Sequence, residues 1–147
     1  MEASRVTDKR ILSLIPHRPP FLWVDRIISQ TETVIETEIT FHRDLEVFRG
    51  HYPGTPLLPG VLLCEAIFQS GALLLAGSLS DMGDTRLPVL TRITDARFKR
   101  RVLPGETAHI VVSQIDSVSS VFVLRGKAKV DDQLALKTEF CCALIDA

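Results

Sequence analysis

Residues 50–76, GHYPGTPLLPGVLLCEAIFQSGALLLA, join a turn-rich loop carrying one histidine to an apolar segment carrying one carboxylate. Gly50, Pro53, Gly54 and Pro56 fix a backbone course that ordinary residues resist, so His51 is held in place. Pro59 pushes Leu58 out of helical geometry and suits the first helical position, where its missing N–H leaves nothing unsatisfied. A helix therefore starts here. From Val61 to Ala76 the only charged side chain is Glu65, which predicts a helix apolar nearly all round and buried on most faces. The rest of the chain has to cover it.

On helical spacing Val61, Glu65, Gln69, Ala72 and Ala76 share one stripe, with the carboxylate and the amide one turn apart and small residues beyond. Such a stripe can line an acyl channel. At the start of the helix the free N–H groups of Gly60, Val61 and Leu62 form a donor set for an anion, and Gly60 lets another chain come close. His51 and Glu65 could each be an ordinary buried polar residue with satisfied partners. Both in one stretch, beside a ready anion pocket, favour an acid/base site.

At 147 residues the chain is expected to form one domain, 1–147, and 46% hydrophobic content suffices for a substantial core. Lys and Arg number 17 against 18 Asp and Glu, a net charge of −1, so no global excess points to nucleic acid. Three cysteines, Cys64 and the adjacent Cys141 and Cys142, lack zinc or disulfide-framework spacing and fit reduced thiols in the cytoplasm. The polar start MEASRVTDKR has no signal-peptide core. Residues 57–79 approach membrane-spanning length, but Pro59, Gln69 and Glu65 argue against a span; a charge at its centre costs about 2.5–3.5 kcal/mol. No membrane association is expected.

Outside the central stretch, residues 11–15 predict a short helical turn, and Pro16-His17-Arg18-Pro19-Pro20 an extended link. His17 and Arg18 are expected to tie that link to the sheet rather than to act in catalysis. Residues 21–29 and 33–41 read as a strand hairpin, the second alternating Ile35, Thr37, Ile39 and Phe41 with polar residues. The helix should end near Gly77-Ser78. Residues 88–98, 106–116, 121–130 and 134–144 read as further strands, broken at Pro104-Gly105, at 117–120 and at Asp131-Asp132. A long helix inserted among antiparallel strands means an α+β fold whose sheet wraps the helix. His42 is expected in a surface loop and His109 on a strand. No metal-binding histidine spacing, Gly-x-Ser-x-Gly elbow or Gly-rich phosphate loop occurs.

The run GHYPGTPLLPGVLLCEAIFQ resembles the GHFPG-x-P-x-(M/L)-PG-V-L-x-x-E-A-x-x-Q signature of the 3-hydroxyacyl-ACP dehydratases, hotdog-fold enzymes of fatty-acid synthesis. IPHRPPFLWVDRI (15–27) and ARFKRRVLPGE (96–106) resemble that family's N-terminal and basic segments, and the resemblance covers roughly 11–145. It implies a hotdog fold, with an antiparallel sheet around the long helix, and a cofactor-free dehydration. Loss of water from a 3-hydroxyacyl thioester needs a base at C2, a donor to the thioester oxygen and an acid at C3. The expected assignments are His51 as base, the Gly60 N–H as donor and Glu65 as acid or water-orienting group. Gly60, Val61, Gln69 and Phe68 are the expected substrate-binding residues. Arg49 would favour a neutral His51.

The resemblance further implies a homodimer, often a trimer of dimers, with the two catalytic side chains contributed across the dimer interface. Acyl carrier protein is the expected partner, an acidic one, for which Arg97, Lys99, Arg100 and Arg101 form a landing patch. Three positions depart from the family pattern: Arg101 replaces a frequent proline, Lys137 a frequent acid, and Phe68 a frequent small residue. Glutamate at position 65, where isomerising relatives carry aspartate, points to dehydration without isomerisation. The alternatives are a hotdog acyl thioesterase and a non-catalytic acyl-carrier-binding module.

Overall fold

The computed structural model describes residues 7–146. The chain runs α1 (Lys9–Leu14), β1 (Arg26–Gln30), β2 (Val34–Thr40), α2 (Val47–Gly50), α3 (Gly60–Asp81), β3 (Leu87–Phe98), β4 (Thr107–Val118), β5 (Val121–Val130) and β6 (Gln133–Ile145). All six strands join one sheet in the order β1-β2-β4-β5-β6-β3, every neighbouring pair antiparallel. The sheet curves round α3, which packs against β2, β3, β4, β5 and β6 as well as α1. This is the α+β hotdog arrangement that the central stretch predicts.

The apolar circumference of α3 explains its place. Leu63, Ala66, Ile67, Leu73, Leu74 and Leu75 are buried against inward side chains of the sheet such as Ile35, Ile39, Ile110, Leu124 and Phe140. By length and composition α3 could cross a membrane, but here its apolar residues are the core of the fold. Close approach is set by two glycines. A Cβ on Gly71 would stand 2.9 Å from the Phe140 ring, and one on Gly126 of β5 would collide with Ile67. The buried Ser70 hydroxyl bonds Thr37 on β2 at 2.8 Å, the polar link between helix and sheet.

The strand boundaries follow turn chemistry. Asp131 and Asp132 both take positive φ in the two-residue β5–β6 turn, and Ser119 does so between β4 and β5. The expected break at 117–120 is therefore shorter, since β4 continues to Val118. Two further expectations are corrected. Residues 21–25 are not strand: the Gln69 side chain takes up the Trp23 N–H and the Phe21 carbonyl, so these groups bond the helix instead of the sheet. And α3 runs one turn past Gly77-Ser78, to Asp81, because Leu79 is still buried and holds the helix on the core.

At one edge of the sheet lies β3, twelve residues long, with Leu90 41%, Ile93 49% and Phe98 53% exposed.

Candidate active site

Glu65 stands in the second turn of α3 and is half-buried. Its carboxyl opens on a cleft of about 290 Å³ between α3, the 15–17 segment and the start of β3, walled by Phe68, Ala72, Leu87, Leu90 and Cys142. Gln69, one turn on, donates from Nε2 to Glu65 Oε1 at 3.2 Å. That amide is fully engaged, with its Oε1 accepting from Trp23 N–H at 2.7 Å and Nε2 also donating to Phe21 O at 2.9 Å. Gln69 thus holds Glu65 from one turn further along α3, at the wall of the cleft. The stripe continues as expected, with Ala72 lining the cleft and Ala76 buried beyond it, whereas Val61 at its outer end is 72% exposed.

His51 follows α2, whose four residues place Arg49 in the last turn. The loop closes on itself: Leu57 N–H donates to His51 O at 3.0 Å, and His51 Nδ1 lies 3.0 Å from Leu57 O. A carbonyl only accepts, so Nδ1 carries the proton and, in the neutral ring, Nε2 keeps a lone pair. The ring stacks on Tyr52 at 4.3 Å, and the His51–Tyr52 peptide is cis. His51 does not line the Glu65 cleft.

Gly60 and Val61 line a second, larger cleft of about 590 Å³, together with Leu57, Phe98, Lys99, Arg100 and Arg101. Pro59 caps α3 without a side-chain bond, and Leu62 N–H turns back to Pro59 O at 3.0 Å. The Gly60 and Val61 N–H groups have no partner among the described residues. A Cβ on Gly60 would stand 2.6 Å from the Phe98 ring, so any side chain here would have to displace that exposed ring.

The basic segment divides into unlike parts. Arg100 is gripped by Glu106, Nη1 to Oε2 and Nη2 to Oε1 each at 2.9 Å, and also bonds Gln133 and the Arg101 carbonyl. The Arg100 guanidinium holds the Glu106 carboxyl below its ordinary range. Arg97 pairs with Asp95 and faces a groove on the outer sheet beside Lys137. Exposed Lys99 and Arg101 make no ion pair among the described residues and border the larger cleft.

Phe68, expected to bind substrate, walls the Glu65 cleft, and its ring also packs 4.8 Å from Phe140 on β6. His17, expected to be purely structural, enters the cleft with Nε2 3.9 Å from Glu65 Oε1. Arg18 ties the link to the end of α1 rather than to the sheet as expected, donating to the carbonyls of Leu12 and Ile15 and to that of His17. The signal for His17 was present: prolines on both sides hold it as the loop holds His51. Burial pushes the His17 imidazole below its ordinary pKa, opposed by Glu65 and reinforced by Arg18. Burial also raises the Cys64 thiol and pushes Cys142 up to about 12, so neither is a thiolate nucleophile at neutral pH. His42 lies in the loop after β2, and His109, exposed on β4, faces Glu36 at 3.3 Å. Among the described residues no three His, Cys, Asp or Glu side chains converge as metal ligands.

The fold is shared with solved structures: the dehydratase heterocomplex ApeI:P from Xenorhabdus doucetiae superposes with a TM-score of 0.80 at 13% identity, covering 92% of this chain and 91% of that one. An uncharacterised protein from Pyrococcus horikoshii matches at 0.68 and 16% identity over 100% of this chain and 96% of its own. In sequence, the chain is 34% identical to a 3-hydroxyacyl-[acyl-carrier-protein] dehydratase FabZ of Cupriavidus taiwanensis, over 100% of this chain and 99% of that protein. It is 37% identical to the FabZ of Shewanella woodyi over 92% of this chain and 90% of that protein. A family model described as a FabA-like domain matches residues 15–139. With the model and these relatives spanning nearly its whole length, the chain belongs to the FabA-like family of hotdog-fold 3-hydroxyacyl-acyl-carrier-protein dehydratases.

Proposed function

We propose that this protein, working as a single hotdog domain over 1–147, dehydrates 3-hydroxyacyl thioesters on acyl carrier protein to trans-2-enoyl thioesters in fatty-acid synthesis. His51 Nε2 takes the C2 proton while the Gly60 N–H stabilises charge on the thioester oxygen. Glu65 gives its proton to the C3 hydroxyl as the C–O bond breaks, so one proton enters the enzyme, one leaves it, and water departs. Gly60 and Val61 then flank the thioester, and Phe68 and Gln69 the acyl chain. The thioester itself acidifies C2, and the redox-neutral reaction calls on no cofactor.

One observation carries this reading: a lone carboxylate on an apolar helix, held through one oxygen by Gln69, opening on a cleft with apolar walls. Because His51 lies outside that cleft, a second copy supplies it. The edge strand β3, which exposes Leu90, Ile93 and Phe98 among polar residues and also walls the cleft, is the surface through which two copies join, as a homodimer or a trimer of such dimers. Lys99 and Arg101 receive the acidic carrier protein at the larger cleft, in which the donors of Gly60 and Val61 await the thioester. Free cysteines fit a cytoplasmic enzyme.

The test is an assay of crotonyl and longer 2-enoyl thioesters, and of 3-hydroxyacyl thioesters, on both acyl carrier protein and coenzyme A. Reversible hydration is expected. Release of free thiol as the dominant product would establish a thioesterase, and no turnover on any chain length a binding module.

A further inference from the structure

We propose that His17 is a positioning residue for Glu65, its Nε2–H closing on Glu65 Oε1 as the proton leaves, so that Oε1 anchors the carboxyl and Oε2 acts on substrate. The proposal rests on the dehydratase reading above.

The geometry singles out one oxygen. Gln69 Nε2 and His17 Nε2 both approach Glu65 Oε1, at 3.2 and 3.9 Å. Each comes from a fixed support: Gln69 is bonded to the backbone at residues 21 and 23, and the His17 segment is stitched by Arg18 to the end of α1. With both protein donors on one side, the second oxygen is the one left to the cleft.

The state of the imidazole follows from its surroundings. His17 Nδ1 is buried and makes no hydrogen bond. Burial favours the neutral ring, with Arg18 acting in the same direction and Glu65 against it; β3 adds no titratable group to this cleft, and α3 and β6 add Glu65 and Cys142. A neutral ring has one N–H, and an orphaned buried N–H is rarer and costlier than a bare lone pair. The proton therefore sits on Nε2, aimed at Glu65. At 3.9 Å this contact is about 1 Å longer than a hydrogen bond, the kind of separation that tightens once substrate is bound.

Chemically, Glu65 Oε2–H protonates the departing C3 hydroxyl oxygen as the C3–O bond breaks, and negative charge appears on the carboxylate. A donor that closes on Oε1 at that moment binds the transition state better than the ground state. Its loss lowers kcat rather than raising KM.

Two substitutions separate this from packing. Glutamine places an amide N–H where His Nε2–H stands; methionine is of similar length and donates nothing. His17→Gln should keep kcat within about threefold of wild type, whereas His17→Met should lose about 10- to 100-fold in kcat with little change in KM. Equal losses in both variants, or a wild-type kcat in His17→Met, would overturn the proposal. Nitrogen-15 shifts of the His17 ring in the unmodified protein give a second measurement that needs no folded variant. A protonated Nε2 and bare Nδ1 are expected; the opposite tautomer would overturn the proposal. Failure of the underlying reading looks different, since wild-type protein would then dehydrate no 3-hydroxyacyl thioester.

Discussion

His51 and Leu57 hold each other through two bonds of 3.0 Å, Leu57 N–H to His51 O and His51 Nδ1–H to Leu57 O. The pairing uses only the backbone of Leu57. It fixes the ring's orientation and its tautomer together, leaving Nε2 as the basic atom.

His51→Ala should therefore lower kcat for hydration and dehydration by about 10²- to 10⁴-fold while the protein stays folded, because the loop's own backbone bond survives. Steady-state kinetics beside a thermal melt check this. Near-wild-type turnover would remove His51 from the mechanism.

The basic segment predicts two different phenotypes. Lys99→Ala with Arg101→Ala should raise KM for carrier-protein substrates far more than for small thioester mimics, and added salt should act the same way. Equal effects on both substrate types would show that the patch is not the landing site.

Arg100→Ala should instead lower Tm, since it frees Glu106, Gln133 and the Arg101 carbonyl at once. Glu106 has a folded pKa held below its ordinary 4.5, so its contribution is complete above that pH and is lost as pH falls through the folded value. Wild-type Tm should fall on acidification below about 4.5 more steeply than that of Arg100→Ala. Parallel curves would contradict the pairing.

Much of this was legible in the chain, and the parts that were not share one cause. The buried helix and its carboxylate could be read because an apolar run with a single charge has few other solutions. The strands after α3 lie within a few residues of their expected bounds because alternation and turn residues are local signals. The failure at 21–25 came from Gln69, whose amide takes backbone groups more than forty residues away, a contact that no periodicity encodes. Arg100 looked like part of a charged patch because its partner Glu106 is reached by a loop, not by helical or strand spacing. The prolines around His17 marked it as held in place, but only the packing of α1 beside α3 brings its Nε2 to 3.9 Å from Glu65 Oε1.

Phe68→Ala tests the tunnel. The ring walls the Glu65 cleft and packs on Phe140, so its removal should move the preferred substrate toward longer acyl chains and destabilise the fold by about 3 kcal/mol or more. An unchanged chain-length profile with lower Tm would make Phe68 a core residue only.

The central claim is that His51 of one copy works with Glu65 of another, and mixing two dead variants tests it most directly. His51→Ala and Glu65→Gln, each inactive alone, are co-expressed, and formation of hybrid dimers is verified by native mass. A hybrid holds one intact His51 and one intact Glu65, on different copies, so one complete site should form in each. With random pairing the mixture should regain about a quarter of wild-type activity. Hybrids as inactive as either parent would place both residues' work within one chain and contradict the account.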